Sequence, residues 1–493
     1  MSSPLIFNKS LDEIEKIIVS HLPIKQDKKV ETGEVFTPFH LIVEMLEKLP
    51  KKLWKNPKLK WLDPGSGVGN FSMLVFYYLD KGLTSWEKDT VKRRNHIIEN
   101  MIYMVELTKT NVTITKKIFG NKVNVCNCDF ILNIKEWTSQ FGTDMYDITL
   151  GNPPYNQNGM KGKGRSDPGS TGIWNKFVEV SLQHTKKDGH CLFFTPNSWT
   201  ELKSGLSKKI IENQIVLIKN FDVVNAYKLF EKKAGSLPLC YYLLRKSSPT
   251  EKTLIHDSDL NDFVQFDVNK YRFIPNKNIH LIEKILQKTN NTLKDYYVFT
   301  PPKQKSNKNV FFDSYSKEHP YPLVNYVHKK LYISYSKTPS KLQNGRPKLI
   351  FPNYSMGYPL LDKDGIMDVG GRSSYAIYIP DNNIEKLQRI QRFFFTDLAF
   401  TLINSLKTAQ KFLSTRTFSL FPDVSKSSSI PLTESGLIKY FNLKSTEINA
   451  INQQINKGEG NVTESRKEEL MNFSLKDYLS DEQLKYIKQK VKK

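Results

Sequence analysis

A short apolar segment that runs directly into a glycine-rich turn is the feature that most constrains the fold of this chain. In the segment KWLDPGSGVGNFSM the apolar stretch ends at Leu62, and Asp63 follows it. Three glycines then stand at alternate positions: Gly65, Gly67 and Gly69. Glycine lets the backbone turn sharply and approach a ligand closely, and a following helix would direct its positive end at that ligand. The segment therefore predicts a buried strand, a ligand-binding loop and a helix.

Further short apolar runs repeat along the first half of the chain, separated mostly by stretches long enough for a helix. The predicted strands are Leu59–Leu62, Ile102–Val105, Val123–Val125, Tyr146–Leu150, His190–Phe194, Ile215–Ile218 and Pro238–Leu244. Strands that alternate with helices indicate βαβ units, so we expect an α/β domain built on a mainly parallel sheet.

Acidic residues follow the second and third predicted strands. Glu106 ends the run IYMVEL, where a carboxylate can accept both hydroxyls of a ribose. Asp129 and Phe130 follow the third strand, and they offer a carboxylate and an aromatic face to an adenine ring. Each of these residues taken alone is also compatible with an ordinary strand end or turn.

The fourth predicted strand leads straight into Asn152-Pro153-Pro154-Tyr155. Two prolines directly after a strand end the ladder and stiffen the chain, which holds the Asn152 side chain and the Pro153 carbonyl in place. Both groups accept hydrogen bonds and together suit an exocyclic amine, while Tyr155 supplies a flat face for stacking. The order of these motifs on successive strands makes a plain strand-exit turn a poor explanation.

With these motifs the chain resembles the gamma-class DNA adenine-N6 methyltransferases of restriction–modification systems, which use S-adenosylmethionine (SAM). The resemblance covers about residues 30–245 and rests on DPGSGVGNF at 63–71 and NPPY at 152–155. ETGEVFTPFHLIVEMLEKL at 31–49 resembles the family's first motif, in which Thr37-Pro38 opens a helix that closes over the methionine end of SAM. The implied fold is a Rossmann-like methyltransferase sheet with helices on both faces.

The resemblance implies a role for each matched residue. Asn152, Pro153 and Tyr155 are expected to be catalytic, and Tyr155 also stacks on a flipped adenine. The expected cofactor-binding residues are Thr37, Asp63, Gly65, Gly67, Gly69, Glu106, Asp129, Phe130 and Asn152. In NAYKLFEKKAGSLPLCYYLL, Phe230 would form the second face of the base pocket, although Tyr227 lies one helical turn away and is an alternative.

The charge of the chain favours a polyanionic partner. Its 73 Lys and Arg outnumber 50 Asp and Glu, for a formal charge of +23, although a lysine-rich proteome would also produce such a surface. Residues 301–350 hold ten Lys and Arg against Asp313 and Glu318, with tyrosines interleaved. We expect Lys329 and Lys330 to contact phosphates, and we expect Arg346 and Arg372 to read bases, because each arginine lies beside a glycine in a loop.

The predicted organisation has four parts. Residues 1–30 form an N-terminal extension, 31–248 the SAM-dependent catalytic domain, 249–430 a mixed α/β target-recognition domain that binds DNA, and 431–493 a charged helical region. Within the last two parts, a helical pattern runs from Asn383 to Leu406 and most of 430–493 is helical.

The predicted activity is therefore site-specific methylation of adenine N6 in double-stranded DNA within a restriction–modification system. Three alternatives stay open: an RNA adenine-N6 methyltransferase, a protein glutamine methyltransferase, and a DNA-binding subunit of a larger restriction complex. The large region after the catalytic motif favours a nucleic-acid substrate, and the intact Asn152 and Tyr155 favour an enzyme. The expected partner is duplex DNA, with one protein molecule acting on it. A restriction–modification system adds a separate cognate endonuclease as a second candidate partner.

Cysteine usage and hydropathy set the expected environment. Four cysteines in 493 residues (Cys126, Cys128, Cys191 and Cys240) are too few for a disulfide scaffold, and the CxC pair has no second ligand pair nearby for zinc. We therefore expect reduced core thiols and no bound metal. No apolar run is long enough to cross a membrane, so an intracellular, cytoplasmic location is expected.

Overall fold

The structure is a computed structural model. It describes residues 4–10, 12–14, 16, 37–155, 172–202, 204–230, 238–300, 312–327, 330–352, 358–369, 374–406, 418, 420–426, 428–456 and 463–491. The chain divides into two compact units. The first comprises residues 1–256 and 265–274, and the second comprises 257–264 and 275–493.

The first unit is built on one sheet. The strands of this sheet are β1 (Trp61–Asp63), β2 (Ile102–Val105), β3 (Asn124–Cys126), β4 (Tyr146–Gly151), β5 (Thr185–Pro196), β6 (Gln214–Phe221), β7 (Leu239–Arg245), β8 (Thr253–Asp257) and the edge strand β9 (Asp262–Phe266), of which residues 265 and 266 belong to the first unit. They lie in the order β3-β2-β1-β4-β5-β7-β6-β8-β9. Strands β3 to β5 pair in parallel, whereas β7 runs antiparallel to both of its neighbours, β5 and β6.

Helices precede, connect and follow these strands. They are α1 (Leu5–Asn8), α2 (Phe39–Leu46), α3 (Asn70–Gly82), α4 (Thr90–His96), α5 (Lys109–Phe119), α6 (Ile134–Phe141), α7 (Trp174–Gln183), α8 (Gly205–Ile211), α9 (Val223–Leu229) and α10 (Val268–Tyr271). All residues of β1 and β2 are buried, as expected for strands covered on both faces. The first unit thus confirms the predicted Rossmann-like methyltransferase fold.

All seven predicted strands are present, with boundaries that shift by a few residues. Ile102–Val105 coincides with β2, whereas β5 begins five residues before the predicted His190. The extra residues of β5 are polar or small. Thr185 pairs with Tyr146 of β4, the register then shifts before His190 pairs with Ile148, and Asp188 and Gly189 form backbone hydrogen bonds with Lys246. The apolar runs therefore located the strands but did not mark their ends.

The second unit contains two small sheets. Its strands are β10 (Tyr297–Thr300), β11 (Tyr321–Val327), β12 (Lys330–Ser336), β13 (Lys348–Pro352), β14 (Leu360–Asp362), β15 (Asp368–Val369) and β16 (Ser374–Ile377). One sheet has the order β10-β16-β13-β14, and the other has the order β12-β11-β15. A buried ion pair joins Lys348 of β13 to Asp362 of β14, and Asp362 also accepts the backbone N–H groups of Ile366 and Met367.

The first helix of the second unit precedes strands β10 to β16, and the other helices follow them. They are α11 (Ile279–Lys288), α12 (Ile384–Phe394), α13 (Asp397–Leu406), α14 (Glu434–Phe441), α15 (Ser445–Asn456), α16 (Glu464–Met471) and α17 (Asp481–Val491). The mixed α/β character predicted for this half is confirmed. In place of one helix between Asn383 and Leu406, the chain forms two, α12 and α13. Thr396 lies between them and caps the start of α13, because its hydroxyl accepts the N–H of Ala399.

Among the described residues, no helix combines the length and the apolar character that crossing a membrane requires.

Candidate active site

The carboxyl ends of the adjacent strands β1 and β4 bring the two strongest sequence motifs together. Leu62 of β1 is in register with Thr149 of β4, so Asp63 and Gly151 end neighbouring strands. A Cβ added to Gly151 would lie 3.1 Å from Asp63 Oδ1. The glycine at this position therefore allows the strand that leads into Asn152 to pass directly beside the Asp63 carboxylate.

Asp63 is buried at the start of the glycine loop. Its Oδ2 accepts a hydrogen bond of 3.2 Å from the Ser72 hydroxyl on the first turn of α3. Burial raises the pKa of Asp63 to about 7, the negative charge of Glu106 adds to this, and the Ser72 hydrogen bond opposes it. The Asp63 carboxyl is therefore poised to change its charge near neutral pH.

The glycine loop is packed tightly against the motif that follows β4. A Cβ on Gly65 would lie 3.3 Å from Phe177 Cε1 and 3.6 Å from Pro154 Cδ. Gly69 has φ +93° immediately before α3, and its Cβ would lie 3.1 Å from the Phe119 ring. Gly67 has φ +56° and open space around it. Close packing at two positions and a left-handed backbone at two explain why glycine occupies all three.

Glu106 follows β2 and holds the same loop. Its Oε2 accepts the N–H of Gly67 at 2.9 Å, and its Oε1 accepts the N–H of Thr108 at 2.8 Å and Nδ2 of Asn111 at 2.9 Å. The carboxylate is buried with these donors around it. The structure thus gives Glu106 a role in holding the glycine loop, and its predicted contact with ribose hydroxyls stays a prediction.

Asp129 and Phe130 lie after β3, one strand further along the same edge of the sheet. Asp129 Oδ1 accepts the N–H groups of Ile131 and Leu132, which makes a local turn. The Phe130 ring stacks on Trp137 and on Phe177, each at a centroid distance of 5.3 Å. Because Phe177 also faces Gly65, Phe130 belongs to the wall behind the glycine loop. Contact of either residue with an adenine ring stays a prediction.

Asn152 is held by a residue far away in the sequence. Its Nδ2 donates a hydrogen bond of 2.9 Å to the hydroxyl of Thr37, which is 4% exposed. Its Oδ1 is buried and has no hydrogen-bond partner within the described part of the chain. A buried acceptor without a partner costs about 1–3 kcal/mol, so this oxygen is a candidate for binding a donor on a substrate.

Tyr155 has a buried hydroxyl and a partly exposed side chain. Burial raises the pKa of this hydroxyl well above its usual value, and the nearby Cys240 thiol adds to the effect. The phenol is therefore neutral at any working pH. The hydroxyl has no hydrogen-bond partner within the described part of the chain, and the partly exposed ring offers a surface for stacking.

Phe230 does not present a free ring. It is 4% exposed, and its ring lies 5.6 Å from that of Phe194 on β5. Tyr227, one turn earlier on α9, is 44% exposed. Of the two residues, Tyr227 therefore has the accessible aromatic ring. That either ring forms a base pocket together with Tyr155 stays a prediction.

The residues predicted to contact DNA are placed only in part. Lys329 and Arg372 lie outside the described residues, and Lys330 is described only as the first backbone position of β12. Arg346 is exposed in the second unit, with its guanidinium 5.1 Å from the centroid of the Tyr378 ring. Its Nε donates to Asn382 Oδ1 at 3.3 Å.

Arg346 borders an open pocket of about 380 Å³ within the second unit. Aromatic and basic side chains line it, together with an amide: Tyr296, Tyr297, Lys341, Asn344, Arg346 and Tyr378. Such a lining combines aromatic faces, on which bases can stack, with positive charge, which attracts phosphates.

The four cysteines are unpaired and buried, as expected for core residues, and their reduced state stays a prediction. The Sγ atoms of Cys126 and Cys128 lie 3.2 Å apart, and the Glu136 carboxylate is within 4.8 Å of both. Burial raises the pKa of both thiols, which disfavours the thiolates that soft metals bind.

The sequence analysis missed several residues that shape the site. Ser72 and Asn111 are buried polar residues on the first turns of α3 and α5, and each bonds an acid of the site. Their spacing from those acids could have suggested the contact. The Thr37–Asn152 bond joins residues 115 positions apart, which sequence spacing cannot indicate.

The chain is similar to several known proteins. Residues 53–230 match the model of the family described as Eco57I restriction-modification methylase. An uncharacterized adenine-specific methylase of Mycoplasma pneumoniae is 25% identical, over 47% of this chain and 72% of its own length. The type II methyltransferase M.HincII of Haemophilus influenzae is also 25% identical, over 45% of this chain and 39% of its own length.

Among solved structures, the Type IIL restriction-modification enzyme MmeI in complex with DNA is similar to this chain. The alignment has a TM-score of 0.49 and 12% identity, and it covers 94% of this chain and 80% of the MmeI chain.

We predict that Asp63 gives the stability of the protein a specific pH dependence. Its pKa is about 7 in the folded state and about 3.9 when unfolded, so only the folded state keeps the proton between these values. The Asp63 contribution to the free energy of unfolding therefore falls as pH rises from about 4 to about 7, by about 1.4 kcal/mol per pKa unit.

Urea unfolding of the wild type and of Asp63→Asn, compared from pH 5 to pH 8, tests this prediction. Because Asn cannot ionise, the variant should gain stability relative to the wild type as pH rises and then stay level. Parallel pH curves for the two proteins would show that the Asp63 pKa is not raised.

Proposed function

We propose that this chain is a SAM-dependent DNA methyltransferase that acts on N6 of adenine at a specific duplex sequence within a restriction–modification system. The observation that carries the proposal is the buried Asn152 Oδ1, which has no partner among the described residues and stands beside the glycine loop. The family match and the names of the relatives support the same enzyme class. The motif order, with the SAM loop before NPPY and the large region last, supports the gamma class.

The residues around β1 and β2 fit the cofactor. The Glu106 carboxylate, which accepts the N–H of Gly67 in the glycine loop, would accept the ribose hydroxyls, and the Ser66 hydroxyl in that loop is buried without a partner in the described part of the chain. SAM is cationic at its sulfonium and ammonium groups, so acidic surroundings from Asp63 and Glu106 suit it. When bound, SAM supplies a methyl group on a sulfonium centre, which is an excellent leaving group.

Asn152 and Pro153 would act on the target amine. The adenine N6 atom lies inside the base stack of a duplex, so the base must be flipped into the site. Asn152 Oδ1 and the Pro153 carbonyl would each accept one N6 hydrogen, which favours a more tetrahedral nitrogen with its lone pair free. Tyr155 would hold the base plane by stacking. Catalysis is then largely positioning and stabilisation of the charge that develops on N6.

The second unit would supply recognition of double-stranded DNA. The Tyr378 face and the Asn382 amide hold the Arg346 guanidinium in place, which prepares it to contact a guanine edge or a phosphate. We include duplex DNA in the proposal as the partner. A separate endonuclease, a monomeric state on DNA and an intracellular location stay predictions.

The proposed activity predicts methylated adenines in the DNA of a host that expresses the protein. Single-molecule sequencing should find N6-methyladenine at one recurring sequence with the wild type and none with Asn152→Ala. The purified variant should bind SAM in calorimetry nearly as well as the wild type, because Asn152 acts on the amine. Methylation of another base or of RNA alone would contradict the proposal, and so would an active Asn152→Ala.

Glu106→Ala is predicted to weaken SAM binding by about tenfold or more, because it removes an acceptor for ribose and for the loop N–H of Gly67. The matched control is Glu99→Ala, since Glu99 lies before the start of β2 and pairs with Lys122. Calorimetry should show normal SAM affinity for the control. Normal affinity in Glu106→Ala would remove Glu106 from the cofactor site.

Arg346→Ala is predicted to reduce discrimination between the methylated sequence and a mismatched one by about 1–3 kcal/mol. A gel-shift series over salt concentration measures this, with the exposed Lys439 of α14 changed to Ala as the charge-matched control. Equal weakening on both sequences with a reduced salt slope would make Arg346 a phosphate contact instead.

A further inference from the structure

Thr37 was expected to contact the cofactor, yet in the structure its hydroxyl is engaged with Asn152. The bond from Asn152 Nδ2 to Thr37 Oγ1 is 2.9 Å long, and Thr37 is buried. The other end of the same amide, Oδ1, is the buried acceptor without a partner among the described residues. One end of the Asn152 side chain is thus tied to the protein while the other is left for a ligand.

We propose that Thr37 is a positioning residue, whose hydroxyl holds the Asn152 amide so that Oδ1 meets the target amine. The proposal rests on the methyltransferase function proposed above. An adenine N6 amine carries two hydrogens and binds an acceptor, so the productive orientation of the amide has Oδ1 toward the base. That orientation directs Nδ2 at Thr37, whose hydroxyl oxygen accepts it.

The hydrogen bond also changes what Oδ1 can do. Donation from Nδ2 polarises the amide, which places more negative charge on Oδ1 and strengthens its bond to an incoming donor. A side chain without this bond would rotate about its last torsion, which is broad for Asn, and would spend part of its time away from the productive geometry. Loss of the bond should therefore slow methyl transfer more than it weakens binding.

Thr37 is itself well fixed, which a positioning residue requires. Pro38 follows it with φ −59° and starts α2, whose buried face comprises Phe39, Leu41, Ile42, Met45 and Leu46. Glu44 on the same helix ties α2 to the sheet. Its Oε1 accepts from Lys219 Nζ of β6 at 2.6 Å and from the Tyr241 hydroxyl of β7 at 2.7 Å.

The contacts of Glu44 keep its carboxylate charged at neutral pH. Burial raises the pKa of Glu44, but the hydrogen bonds from Lys219 and Tyr241 outweigh it, so the pKa is lowered overall. The helix that follows Thr37 is thus held both by apolar burial and by an ion pair. Thr37 reaches Asn152 through the N-terminal end of this helix, next to the strand edge where β4 ends.

The test compares Thr37→Val, which keeps the shape and removes the hydroxyl, with Thr37→Ser, which keeps the hydroxyl. Thr113→Val on the exposed side of α5 is the matched control, because it makes the same change away from the site. For each protein we would measure thermal unfolding, SAM affinity by calorimetry, and single-turnover tritium transfer to duplex DNA at saturating SAM and DNA.

We expect Thr37→Val to lower the single-turnover rate by about ten- to a hundredfold, while its SAM dissociation constant stays within about threefold of the wild type. Thr37→Ser should recover most of the rate, and Thr113→Val should match the wild type. If Thr37→Val does not fold, Thr37→Ala replaces it in the same comparison.

Two results would overturn the proposal. A weakened SAM affinity with an unchanged rate at saturation would make Thr37 a cofactor contact, and an unchanged rate and affinity would leave the bond without a role. Failure of the proposed function is separate from both, because it would appear in the wild type as the absence of any methyl transfer.

Discussion

The pairing of β1 with β4 is the constraint on which the rest of the candidate site depends. These strands are separated by more than 80 residues, yet their parallel register sets Leu62 beside Thr149. In a parallel sheet the carboxyl ends of neighbouring strands lie at one edge, and loops that leave them must share the same space. The strand pairing alone therefore brings together the loop that follows Asp63 and the turn that contains Asn152.

Sharing that space limits the side chains near the strand ends. Gly65, Gly69 and Gly151 stand where a Cβ would crowd Phe177, Phe119 and Asp63 respectively. Hydrogen bonds satisfy the buried acids next to these glycines: the Ser72 hydroxyl donates to Asp63, and the N–H of Gly67 donates to Glu106. A site of this kind is rigid because each loop is packed against the next, and the rigidity is what allows Asn152 Oδ1 to stay in place without a partner within the described residues.

Much of this arrangement was predictable from the sequence, because local rules and topology agree in the first half of the chain. Apolar runs mark β1 to β7, and glycine, acid and proline motifs fall at the ends of β1 to β4. The start of β5 was not predictable, because its polar residues join the strand through long-range backbone contacts: Thr185 pairs with Tyr146 of β4, and Asp188 and Gly189 bond Lys246. The break near Thr396 depends likewise on a side-chain cap that a helical pattern does not reveal.

Predictions that assigned a role to a single side chain were less secure. Phe230 lies at the expected place in the chain, but it packs on Phe194, and Tyr227 on the same helix has the exposed ring. Thr37 lies where its motif predicted, but its partner is Asn152. Sequence spacing predicts which turn of a helix a residue occupies. It does not predict which of two neighbouring groups a side chain reaches, because that depends on packing between elements that are distant in the chain.

The electrostatics of the candidate site differ from those of the chain as a whole. The chain carries a formal charge of +23, which favours polyanions at long range, whereas the strand edge of the first unit gathers Asp63, Glu106 and the Asn152 oxygen. Burial raises the pKa of Asp63, the negative charge of Glu106 adds to this effect, and the cost of a buried charge is offset when a cation or several N–H donors arrive. A cationic cofactor and an exocyclic amine are ligands of this kind. The same protein can thus attract a polyanion through its surface charge and select donors and cations at its strand edge, because the first effect acts through solvent and the second acts at contact distance.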